Sequence, residues 1–157
     1  MNDLALLESL VNTLSIDTGE DRLAKDFALG AADLEQAREL RESLRAACLA
    51  HAGHPPHERV RPLSDLLSAA PLVVAVDETT GAATLRPAKD DASLLSRVAS
   101  AIATTTADGT WPRLKACEAA DCHWAYTDRS PAGRRRWCSM SVCGARAKMR
   151  AYRSRQG

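Results

Sequence analysis

Apolar residues recur at helical spacing over most of the first hundred positions. Leu4, Leu7, Val11 and Leu14 sit three and four residues apart and predict an amphipathic helix over 3–14. Turn formers from Asp17 to Asp21 interrupt it, and a short helical piece over 23–29 follows, anchored by Phe27 and ended by Gly30. The longest pattern runs from Asp33 to about Ala52, with Asp33 as N-cap and Gln36 completing a capping box. Ala37, Leu40, Leu44, Ala47 and Cys48 form its inward stripe. Glu35, Glu39 and Glu42 alternate with Arg38, Arg41 and Arg45, which predicts a solvated face of short-range ion pairs. His51, His54 and His57 are evenly spaced, but Gly53, Pro55 and Pro56 break the helix, so the imidazoles should not share a face. That stretch reads as an exposed connector. A short helix over 63–70 precedes Leu72-Val-Val-Ala-Val76, the one β-branched run. With the turn at 77–81 and the segment 83–86 it predicts a hairpin. Asp90 or Asp91 should open a last helix with Leu94, Leu95, Val98, Ile102 and Ala103 inward, and 104–109 reads as a linker.

The chain of 157 residues, 45% hydrophobic, is long enough for one domain with a small module attached. The division falls near residue 110, giving a helical domain over 1–110 and a module over 111–157. No apolar run approaches the length of a membrane span. The chain opens Met1-Asn-Asp-Leu-Ala without a basic stretch leading into an apolar one, so a cytoplasmic location is expected. Net charge is only +1, yet it is unevenly placed. Residues 1–112 hold 10 Lys/Arg against 17 Asp/Glu, whereas 113–157 hold 11 against 3. A basic end of this kind points to a polyanion.

Its cysteines change the picture most. Cys117 and Cys122 form one pair, Cys138 and Cys143 another, each with a gap of four residues. Matched pairs let two tight turns grip one ion from opposite sides, and four thiolates suit tetrahedral, redox-silent zinc. Inert buried thiols would not fall into matched pairs. Disulfides would need an oxidising compartment, and the spacing matches none of the usual iron–sulfur runs. One structural Zn2+ is therefore expected. Four cysteines also close the coordination shell, which leaves no position for an activated water. Cys48, on the apolar stripe, reads as a buried structural thiol. Trp124 and Trp137 are expected to pack by the cluster rather than stack on bases. Arg134, Arg135 and Arg136 present three consecutive cations before Cys138. After Cys143 comes a strongly helix-forming segment bearing Arg146, Lys148, Arg150, Arg153 and Arg155 without a single acid. These eight residues are the candidate contacts to nucleic-acid phosphates.

The run Cys117-x4-Cys122-x-Trp124, followed by Asp128-Arg-Ser-x-x-Gly133-x-Arg135-Arg136-Trp137-Cys138-Ser139-Met140-x-x-Cys143-Gly144-x-Arg146-x-Lys148, resembles the CGNR zinc finger. Alanine stands at 145 where that motif has asparagine. Leu10-Val11-Asn12-Thr13 and Arg38-x-Leu40-Arg41-x-x-Leu44 resemble landmarks of the helical ABATE domain that precedes such fingers. The resemblance implies a bacterial transcription regulator, its finger on DNA and its N-terminal domain sensing a small-molecule effector. Asn12, Thr13 and Arg41 are the candidate ligand-binding residues. A mainly α fold follows: a helical N-terminal domain with a small β-hairpin, then a four-cysteine zinc module with a C-terminal helix. A single finger covers few base pairs, so a homodimer is an expectation. No nucleophile–base constellation or phosphate loop is present, and no catalytic activity is expected. Two other readings stay open on the sequence: a small-molecule binder or enzyme with a purely structural zinc, and an RNA- or protein-binding zinc module.

Overall fold

In the computed structural model, which describes residues 1–89 and 91–157, helices dominate and two separate two-stranded hairpins accompany them. Helix α1 (Asp3–Val11) starts at Asn2, whose Oδ1 accepts from the Ala5 amide at 2.8 Å. It ends before the expected Leu14. Its buried face, Leu6, Leu7, Leu10 and Val11, is broader than the stripe read from spacing. Helix α2 (Leu23–Asp26) is anchored by the fully buried Leu23, with Phe27 only partly covered. The long α3 (Ala31–His51) begins at Gly30 with no side-chain cap, so the capping box at Asp33 does not form. Asp33 lies instead in the first turn, where a negative charge suits the helix dipole.

Helix α4 (Leu63–Leu67) leads into strand β1 (Leu72–Val76), which pairs antiparallel with β2 (Ala83–Pro87), Val74 opposite Leu85. The next helix, α5 (Leu94–Ala107), is capped by Ser93, whose Oγ accepts from the Ser96 amide at 3.2 Å. Asp91 supports that cap by accepting from the Ser93 hydroxyl; the alternative opener, Asp90, lies outside the described residues. Residues 104–107 are the last turn of α5 rather than a linker. Thr105 is buried there, its hydroxyl donating back to Ala101 O at 2.8 Å.

One core joins α1, α3 and α5 through Leu7, Leu10, Leu40, Leu44, Leu49, Val98 and Ala101. Into the same core run Leu114 and Ala116 of β3 (Leu114–Ala116) and Ala125 of β4 (Ala125–Thr127). This second hairpin lies against α3 and was not legible from periodicity, because three-residue strands are too short to show a repeat. The connector exposes Gly53, Pro55 and Pro56, but its three histidines are half-buried. His51 Nδ1 lies 2.6 Å from Leu114 O and its ring meets Trp111 edge-on, while His57 Nε2 is 2.9 Å from Glu42 Oε2.

Candidate metal centre and basic helix

Hairpin β3–β4 delivers the first cysteine pair. Cys117 follows β3 directly, and its amide donates to Trp124 O at 2.9 Å. The chain then turns at Ala119, whose carbonyl accepts from both the Cys122 and His123 amides. His123 takes a left-handed backbone with φ 46°, an uncommon conformation for a residue with a Cβ, and so closes the knuckle. Of the second pair, Cys138 comes just before a π-helical turn, Met140–Gly144, and Cys143 lies within it. Ser139 caps this turn by accepting from the Val142 amide at 3.2 Å. At Gly144 a Cβ would meet Met140 Sδ at 3.2 Å and the Trp137 ring at 3.4 Å, so a larger residue would need the half-exposed Met140 side chain to shift by a few tenths of an ångström. Helix α6 (Ala145–Gln156) continues from this turn without a break.

All four Sγ atoms lie within 4.8 Å of one another. Cys122 and Cys138 are 3.7 Å apart, Cys138 and Cys143 3.9 Å. A tetrahedron with zinc–sulfur bonds of about 2.3 Å has sulfur–sulfur edges of about 3.8 Å, so the donor set fits zinc. The same separations are far beyond the ~2.0 Å of a disulfide. Cys117 and Cys143 are buried, Cys122 and Cys138 partly so, and Trp137 packs on the cluster. Without a cation, the thiols oppose one another. The hydrogen bond from Cys122 pulls the Cys117 thiol down to about 5 and holds Cys122 itself far up. Burial, then the charge of Cys117, push Cys138 up to about 12. A divalent ion removes that conflict by letting all four act as thiolates. Cys48 is not part of the four-thiol group but packs in the helical core, where burial pushes its thiol up to about 12, as befits an inert core residue.

The loop between the pairs is built around Asp128. Its carboxylate accepts from Lys115 Nζ at 2.9 Å, the Ser130 hydroxyl at 2.6 Å and the Arg135 amide at 2.9 Å. Burial opposes ionisation here, yet these donors outweigh it and hold the carboxyl well below the usual range. The Arg triplet divides accordingly. Arg135 lies over Tyr126 at 5.1 Å and donates to Cys138 O at 2.9 Å, so it braces the second knuckle. Arg136 makes two 2.7 Å bonds to Glu118 and covers Trp137. Arg134 is exposed and forms no ion pair among the described residues. On α6, Arg146 pairs with Asp121 at 3.2 Å, whereas Lys148, Arg150, Arg153 and Arg155 form no ion pair among those residues. Trp124 is partly buried and forms no ring pair with Trp137 among them.

The knuckle is tied to the helices by buried polar groups. Arg45, with 0% exposure, donates from Nη1 to His123 O at 2.8 Å and from Nη2 to Val11 O at 2.9 Å. Its Nε pairs with Glu42 at 2.9 Å. Asn12 meets Ala125 of β4 twice, donating at 2.9 Å and accepting at 2.7 Å. Arg41 reaches Asp21 at 2.8 Å, Glu42 at 2.7 Å and the Thr13 hydroxyl at 3.3 Å. Arg41 and Arg45 are thus buried, which corrects the solvated face read from alternating charge. Asn12, Thr13 and Arg41 are engaged in this internal network rather than directed into a common cavity. Asn12 alone of the three borders a groove of about 470 Å³ between α1 and β4, together with Glu8, Ser9, Thr110, Thr127 and Arg129.

Residues 4–109 match the ABATE family, described as "Putative stress-induced transcription regulator". Residues 113–156 match the CGNR zinc finger. No curated protein matches the chain.

Proposed function

Because the chain belongs to the ABATE family and carries a CGNR zinc finger behind that domain, we propose that it is a regulator whose C-terminal helix docks on duplex DNA. The observation that carries this reading is α6. It has five cations, no acid and no buried residue, so among the described residues nothing neutralises or covers most of it. Lys148, Arg150, Arg153 and Arg155 supply the main phosphate contacts, with Arg134 beside them. Arg135, Arg136 and Arg146 contribute less, since their guanidiniums already hold the loop and knuckle. Zinc, bound by Cys117, Cys122, Cys138 and Cys143, supplies rigidity to the turn from which α6 springs. Its closed thiolate shell offers no site for a substrate, and we read the protein as non-catalytic.

The N-terminal domain is the sensing part in this reading. A small molecule in the groove beside Asn12 would touch α1 and β4 together, and Arg45 and Asn12 would pass a shift of α1 to the knuckle. Titrating fluorescent duplex DNA with the zinc-loaded chain at stepped salt tests the DNA contact. Changing Arg150→Ala and Arg153→Ala together should weaken binding and flatten the log–log salt slope by about 2 units. An unchanged affinity and slope would remove α6 as the docking surface.

A further inference from the structure

The exposed surface of α6 is not cationic throughout. Ala145, Met149 and Tyr152 recur at four- and three-residue steps, and Val142 in the preceding turn extends the line. Val142 is 48% exposed, Met149 51% and Tyr152 54%, so three sizeable apolar side chains face solvent in one row. Val142, Ala145 and Met149 line one shallow depression with Ser141, Arg146, Arg150 and Arg153. The one hydroxyl there, on Ser141, is already bonded to Ser139 at 3.0 Å. At about 100° per residue, Arg146, Arg150 and Arg153 flank the row on one side, Lys148 and Arg155 on the other.

An apolar row at this spacing would ordinarily seat a second helix. A second copy of α6 is a poor occupant, because cations on both flanks would face cations. Duplex DNA answers both features. A helix lying in the major groove turns its flanks toward the phosphates of the two strands and its middle toward base edges. Val142, Ala145 and Met149 carry no side-chain donor and so suit one base feature there, the 5-methyl group of thymine, while Tyr152 brings an exposed hydroxyl only at the end of the row. Ala145 contributes by its smallness: asparagine, which the resembled motif carries at this place, would set an amide in the row.

We infer that Val142, Ala145 and Met149 select duplex sites by covering thymine methyl groups; the inference rests on the DNA-binding reading above. The zinc-loaded full chain would be titrated at one salt concentration against four duplexes of equal length. These are alternating dA·dT, the same with deoxyuridine for thymidine, alternating dG·dC, and the same with 5-methylcytosine. Thymidine should be favoured over deoxyuridine by about 4- to 15-fold, from the burial of one or two methyl groups. Methylated cytosine, which carries its methyl at the same ring position, should shift affinity in the same direction. The exposed double variant Val142→Thr with Met149→Gln should lose the preference yet keep its salt slope. Equal affinities within both pairs, or a preference that the double variant retains, would overturn the methyl reading and leave DNA binding standing. Absence of binding to all four duplexes would overturn both.

Discussion

Replacing Arg45 with methionine tests whether the knuckle and the helical domain form one cooperative unit. Arg45 has no exposed surface and holds three partners on three segments: Val11 O on α1, Glu42 on α3 and His123 O on the knuckle. Methionine preserves the apolar stem but orphans the two carbonyls, at about 1–3 kcal/mol each. Glu42 keeps Arg41 and His57, so its charge is not left alone. Breaking a buried ionic contact costs about 3–5 kcal/mol, and a net loss of about 4 kcal/mol is expected. Against a stability of about 5–15 kcal/mol that is a large part, and it should lower Tm by about 10 °C. Urea unfolding at fixed zinc measures it. Because His123 follows Cys122, zinc transfer to a chromophoric chelator should also quicken. A loss under about 1 kcal/mol with unchanged zinc transfer would refute the idea that Arg45 braces the site.

Asn12→Ala removes both bonds to Ala125 and should cost about 2 kcal/mol in the same urea assay, without changing zinc content. Burial works against the ionisation of Glu42, but the hydrogen bond from His57 and the Arg45 and Arg41 guanidiniums hold its carboxyl down at about 2, against an ordinary 4.5. The folded value is the lower one, so the stabilisation is complete above pH ~4.5 and fades as pH falls toward 2, on the order of 3 kcal/mol in all. Glu42→Gln should therefore lower urea stability at pH 6 and narrow its gap to the native chain at pH 3. Arg136→Ala removes a solvent-screened pair with Glu118 and should leave both the urea midpoint and the DNA salt slope near their native values.

The zinc ligands were the most legible part of the chain, because metal spacing is written in consecutive residues: Cys117 and Cys122, Cys138 and Cys143 converge as read. The β1–β2 hairpin was equally plain, since Val73, Val74 and Val76 are β-branched and a turn follows them. Charge was the poorer guide. Arg41 and Arg45 alternate with acids as a solvated face would, yet both are buried, because carbonyls and carboxylates from distant segments satisfy them. No local window contains Val11, Asp21 and His123 at once. The internal bonds of the Arg triplet were equally illegible: Arg135 and Arg136 bind Cys138 O and Glu118, contacts that exist only once the knuckles close. Hairpin β3–β4 was missed because its strands are three residues long. A hint lay in the alternation of Leu114, Lys115 and Ala116, too brief to weigh alone.

That a four-thiolate zinc site holds α6 in place for DNA is tested most directly by titrating one duplex with the same preparation before and after chelation, with metal content measured alongside. The account predicts one zinc per chain, salt-sensitive binding while zinc is bound, and loss of both that binding and the helical signal of α6 once it is removed. A chain that carries no stoichiometric zinc, or that binds the duplex equally well after chelation, would contradict it.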